Sequence, residues 1–90
     1  CLLFLIKNRL AVDIVSLDYQ ILDEKQETTS EIEWLVEHCS EYGFILRYPK
    51  DKTEITGVIY EPWHFRYVGK QAAKEIMGNA LCLEEYLIRY

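Results

Sequence analysis

The chemistry-bearing residues of this sequence crowd into one stretch, Tyr60-Glu61-Pro62-Trp63-His64-Phe65-Arg66-Tyr67-Val68-Gly69. It holds a carboxylate, an imidazole, a guanidinium and four large aromatic rings. Glu61 and His64 stand three apart. In a straight strand such residues point to opposite faces. Pro62 lies between them, lacks an N–H and fixes φ. A bend there turns both side chains toward one site. A carboxylate beside a metal-binding imidazole is the minimum for a zinc-bound water and its general base. A Glu-x-x-His spacing alone specifies little, since it also arises by chance.

The surroundings of the motif are more specific. The run GVIYEPWHFRYVG resembles the second signature of the VanY-like D-alanyl-D-alanine carboxypeptidases, zinc peptidases that trim bacterial cell-wall peptides. The run EYGFILRYPKDKTEITG resembles the same family, and so does LAVDIVS near the start. The resemblance covers about residues 10 to 87. It implies zinc held by His, Asp and His, with water in the open position. Asp13 and His64 would be metal ligands and Glu61 the general base. Trp63 would be a pocket wall or support the ligands from behind, or it is plain core. Strand alternation, independent of the resemblance, places His64, Arg66 and Val68 on one face and Phe65 and Tyr67 on the other, so Arg66 is expected near His64, with a surface salt bridge as the alternative. Tyr48 and Tyr67 would line the peptide groove.

The first family motif is only half present. Its pattern, Ser-x-His-x-x-Gly-x-Ala-x-Asp, supplies two zinc ligands, the His and the Asp. Ala11 and Asp13 match its last two fixed positions. Its Ser falls at Phe4, its His at Ile6 and its Gly at Arg9. Isoleucine cannot bind zinc, so at most two of the three ligands of a catalytic site are expected. From the residue pattern alone, Asp13 reads as a strand-end or surface aspartate; the resemblance makes it a ligand. The abrupt start of the match at Leu10 is what a truncated or frame-shifted gene would leave.

Composition bounds the other possibilities. Ninety residues, half of them hydrophobic, with seven Tyr, three Phe and two Trp, make one small globular domain. By resemblance it is a partial carboxypeptidase domain over 1–90, lacking the N-terminal part of the family fold. A net charge of −5 argues against non-specific nucleic-acid binding. Acidic residues between Asp23 and Glu37 read as a solvated face. Cys1, Cys39 and Cys82 show no Cys-x-x-Cys spacing, and Cys39 and Cys82 read as small buried hydrophobes. The opening CLLFLI is too short to span a membrane and lacks the flanks of a signal peptide. An export signal is therefore expected upstream or missing, while the resemblance implies an extracellular or cell-envelope site of action. The expected partner is a peptidoglycan stem peptide, and the chain is read as a monomer.

The elements that must position these residues follow from periodicity. Leu2 to Ile6 is a continuous apolar run and a candidate buried strand, broken at Lys7-Asn8-Arg9. Leu10 to Val15 is β-branched and reads as a strand. Asp18 to Glu27 reads as a loop. Ser30 and Glu33 have capping-box spacing before a helix whose apolar face is Ile32, Leu35, Val36 and Cys39, ended by Gly43. His38 on that helix reads as a structural or surface histidine. Phe44 to Tyr48 reads as a strand, Lys50 to Glu54 as a charged turn and His64 to Val68 as a strand. Two helices close the chain: one carries Ala72, Ala73, Ile76 and Met77 and stops at Gly78-Asn79. The other spans Leu81 to Tyr90 with Leu83, Tyr86 and Leu87 inward. These elements predict an α+β fold, a small and largely antiparallel sheet with helices packed on it. Three functional readings follow: a zinc D,D- or L,D-carboxypeptidase piece, a peptide-binding module that does not cut, and an inactive remnant.

Overall fold

The computed structural model describes residues 2–6 and 9–89, with side chains from residue 10 onward. The expected strand break at Lys7-Asn8, the burial of the Leu2–Ile6 run, Cys1 and the final Tyr90 lie outside the described residues.

The four strands are β1 (Leu2–Ile6), β2 (Arg9–Asp13), β3 (Phe44–Leu46) and β4 (His64–Tyr67). They form one sheet in the order β1-β2-β4-β3, antiparallel throughout. Four helices accompany it: α1 (Ser30–His38), α2 (Thr53–Thr56), α3 (Lys70–Gly78) and α4 (Leu83–Arg89). The architecture is α+β, as the sequence predicts. Strand β3 stops at Leu46, short of the expected Tyr48. The charged segment after Pro49 is a 3-10 turn over Lys50–Lys52 leading into α2.

Alternation along the strands gives the sheet two working faces. Val12, Leu46 and Phe65 point to one face and bury against Ile32 and Cys39 from the α1 segment. Ile45 points to the other and packs with Ala73 and Ile76 of α3, Leu83 of α4 and the intervening Leu81. Phe65, Ile32, Ile45 and Ile76 are essentially inaccessible. At ~25 cal/mol per Å2 of apolar surface, each such side chain contributes roughly 1.5–3 kcal/mol.

Several local expectations shift by a residue or a face. Thr29, not Ser30, caps α1: its hydroxyl accepts from the Ile32 N–H at 3.3 Å. The capping-box partner of Thr29 would be Ile32, so no reciprocal box forms. Val36 is exposed and Leu87 is well exposed, because no second layer among the described residues covers those helix faces. Cys39 and Cys82 are buried free thiols, and burial raises the Cys39 thiol to about 11, so it is inert at neutral pH. Gly43 ends the α1 segment at φ +85°, and a Cβ there would stand 2.6 Å from Cε1 of Tyr67. Both the backbone and the space require glycine at that position.

The segment read as a loop is tied down by a buried amide. A 3-10 helix spans Glu24–Thr28, capped by the Asp23 carboxylate on the Lys25 N–H. Gln26 within it is fully buried. Its amide donates to the carbonyls of Tyr19 and Ile21, both at 2.7 Å, and its oxygen accepts from the Ser16 N–H at 3.2 Å. Ser16 in turn donates to Glu31 of α1 at 3.1 Å. Replacing Gln26 with Leu keeps the volume and strips these partners. The Ser16 N–H is then left buried and unpaired, at about 1–3 kcal/mol, while water reaches the part-buried Tyr19 and Ile21 carbonyls at lower cost. A loss of about 2–3 kcal/mol is expected in urea denaturation, at unchanged dependence on denaturant. A loss below ~1 kcal/mol would show that water replaces the amide there.

Candidate active site

The β2–β4 pairing builds the site. Its register sets Ala11 opposite Arg66, Val12 opposite Phe65 and Asp13 opposite His64. Directly opposite residues share a face, so residues fifty-one apart in sequence become neighbours. Nδ1 of His64 lies 2.7 Å from Oδ1 of Asp13. The two side chains keep 23% and 16% exposure, which leaves them reachable from solvent.

Pro62 delivers the expected bend. The His64 N–H donates to the Glu61 carbonyl at 3.2 Å, closing a β-turn over Glu61-Pro62-Trp63-His64. Proline suits the second position of such a turn, where φ near −65° is required. Pro62 itself is fully buried. Two more backbone bonds anchor the turn: the Glu61 N–H donates to the Tyr48 carbonyl at 3.0 Å, and the Ile14 N–H to the Trp63 carbonyl at 2.8 Å. Burial pushes the Glu61 carboxyl above the ordinary glutamate range; the His64 ring opposes the shift and the Asp13 carboxylate adds to it. A carboxyl raised in this way holds its proton more readily than an ordinary glutamate does.

The remaining candidates divide. Tyr48 belongs to the site: its ring stacks on His64 with centroids 5.5 Å apart and planes at 30°. Trp63 is half-buried in the turn, with its carbonyl engaged by Ile14. Arg66 lies two residues along β4 from His64, on the same face, and is half-buried. Tyr67 does not join them. It points with Phe65 to the opposite face, where its ring meets Phe44 edge-on at 5.4 Å. His38 lies outside the site, as expected: it stacks on Trp34 at 4.4 Å and its Nδ1 sits 2.6 Å from Glu41. Sequence reasoning missed Arg47, whose guanidinium covers the Tyr48 ring, and its partner Glu84. No local pattern signals that pair, because its members are thirty-seven residues apart.

The donor set can be tested against a metal. A carboxylate oxygen and an imidazole nitrogen are donors zinc accepts. A tetrahedral ion about 2.1 Å from each would hold them roughly 3.4 Å apart. The hydrogen-bonded pair is therefore slightly closed relative to a metal-bound one. A proton on Nδ1 and a metal on Nδ1 exclude each other. Among the described residues, no three His, Cys, Asp or Glu side chains converge. The neighbour of Asp13 on the other side is Leu2, and Ile6 pairs with Arg9 at the far end of the hairpin. The described donors therefore do not fit the three-ligand set of a catalytic zinc centre.

The D-alanyl-D-alanine carboxypeptidase (VanY) family pattern matches residues 8–70. The chain belongs to that family. It is a family of zinc-dependent peptidoglycan carboxypeptidases. The chain is 54% identical over 79 residues to a D-alanyl-D-alanine carboxypeptidase of Enterococcus faecalis (strain ATCC 700802 / V583), which covers 87% of this chain and 27% of that protein. Its fold superposes on the LdcB LD-carboxypeptidase with a TM-score of 0.83 at 49% identity, covering 87% of this chain and 37% of that one. A vancomycin resistance D,D-pentapeptidase VanY, solved in complex with Zn(II), gives a TM-score of 0.70 at 51% identity, over 86% and 40% of the two chains. The chain thus spans about a quarter of the length of the curated relatives it matches. No helix among the described residues is long and apolar enough to cross a membrane.

The raised Glu61 carboxyl gives a signed prediction. The fold disfavours its charged form, so the penalty is absent below the unfolded value. It sets in as pH rises through 4.5 and is complete above the folded value. Glu61→Gln removes it. The variant is expected to be more stable than the parent at pH 7 and equal to it near pH 3, by urea melts at both. A stability difference independent of pH would contradict this.

Proposed function

We propose that this chain is a partial catalytic domain of a D-alanine-releasing peptidoglycan carboxypeptidase, carrying two of its three zinc ligands and its general base. The observation that carries this reading is the Asp13–His64 pair at 2.7 Å, with the raised carboxyl of Glu61 beside it. In this assignment Asp13 and His64 are ligands. Glu61 takes a proton from the attacking water and passes it to the leaving D-alanine amine. Tyr48 and Arg66, on the His64 side of the sheet, face the peptide; Trp63 shapes the turn that aims both functional side chains. The substrate is a stem peptide ending in D-alanine, and the site of action is the cell envelope or beyond, as with the relatives. The chain acts as a monomer.

The incomplete donor set limits what these residues do by themselves. Removing even an outer partner of a metal ligand weakens a site ~10–100-fold, and removing a ligand weakens it more. We therefore assign the isolated chain weak zinc binding and little hydrolysis. The same deficit favours a second reading, a module that holds the stem peptide without cutting it.

Calorimetric titration of zinc into the chain and into His64→Ala tests the proposal. Weak one-to-one binding, lost in the variant, is expected. Release of D-alanine from D-Ala-D-Ala peptides or tetrapeptides should run more than ~100-fold slower than in a three-ligand relative, and Glu61→Ala should abolish what there is. Zinc binding indifferent to His64 would refute the ligand assignment. Peptide affinity without zinc, unchanged by Glu61→Ala, would select the binding module.

A further inference from the structure

A continuous series of planar groups leads from α4 to the site. Arg47 clamps Glu84 with both arms of its guanidinium, Nη1 to Oε1 at 2.9 Å and Nη2 to Oε2 at 2.8 Å. The guanidinium carbon lies 4.6 Å from the centre of the Tyr48 ring. That ring stacks on His64, and His64 meets Asp13. Arg47 keeps only 14% exposure and Glu84 29%, so the pair is largely shielded from competing water. The Arg47 guanidinium also holds the Glu84 carboxyl below the usual glutamate range. The geometry of each link is specific: a bidentate clamp fixes the plane of the guanidinium, and a fixed plane restricts the ring against it.

Tyr48 needs such a restraint. It lies beyond the end of β3, where its carbonyl accepts from the Glu61 N–H. The ring is free to change rotamer unless something packs on it. The Arg47 N–H, meanwhile, donates to the His64 carbonyl at 3.0 Å, so the same residue touches the histidine through its backbone. The matched family pattern ends at residue 70, whereas Glu84 lies fourteen residues beyond it.

We propose that the Arg47–Glu84 pair is a positioning device for His64, acting through the Tyr48 ring, so that α4 sets the angle of the site imidazole. Its importance for catalysis rests on the reading of His64 as a ligand; its effect on the ring does not. A purely structural role is the natural alternative, with the pair stapling α4 to the sheet. The structure supplies a control for that role. Lys52 and Glu85 form a second pair to the same helix at 2.9 Å.

The experiment is NMR of the metal-free chain at neutral pH, following the ring protons of His64, with His38 as internal reference. Tyr48→Leu defines the full ring-current shift that the stack imposes. Arg47→Lys keeps the charge facing Glu84 but loses the planar fork, and Glu84→Gln keeps the shape but loses the charge. Both are expected to remove much of that ring-current shift from His64 and to leave His38 unmoved. Lys52→Met is expected to lower the melting temperature by a similar amount and leave His64 unmoved. His64 resonances unchanged in both folded Arg47 and Glu84 variants would overturn the proposal. So would a Lys52→Met variant that moves His64 as far, or a Tyr48→Leu variant that moves it not at all. Since no zinc is present, a failed zinc titration leaves this result standing.

Discussion

The antiparallel pairing of β2 with β4 is the interaction on which the site depends. Side-chain direction in a sheet has a period of two. A slip of one residue in that pairing would turn His64 or Asp13 to the opposite face and expose Phe65 or Val12. The register that buries Val12 and Phe65 against Ile32 is therefore the same register that sets Asp13 against His64. Core formation and site assembly are one event. The hydrophobic term, worth several kcal/mol over the buried residues, holds in place a polar pair that contributes little by itself.

The two faces carry different loads. The α1 face supplies apolar packing and is tied at its start by Gln26, Ser16 and Glu31. The other face shares its space between the α3 and α4 core around Ile45 and the polar residues Asp13, His64 and Arg66 further along the strands. Helix α4 is short and half exposed, yet two acidic residues in its first turn reach cations on the segment that follows β3. Acidic residues also suit a helix N-terminus. The arrangement joins the last element of the chain to the ring that stacks on His64.

The described chemistry of the site is a carboxylate–imidazole pair with a second carboxyl near it. An oxygen donor and a nitrogen donor sit at hydrogen-bond distance, and a raised carboxyl stands close by. Their pairing without a metal keeps both polar groups satisfied, which an exposed gap between them would not. The hairpin positions beside Asp13 carry Leu2 and, at the far end, Ile6, and neither side chain is a donor.

The sequence by itself determined the fold class, the elements with strong periodicity, the bend at Pro62 and the family, because each is written in a short window of residue types. Glu61 and His64 were legible through one turn, and Asp13 through a partial motif. Only the tertiary structure decided the rest. It left Val36 and Leu87 exposed, since periodicity marks an apolar stripe without saying what covers it. It made an ordered knot of the segment around Gln26, because a buried amide looks in sequence like any surface glutamine. It also joined Arg47 to Glu84 across the chain. Contacts between residues far apart depend on how strands pair and helices dock, and no local pattern of side chains encodes that.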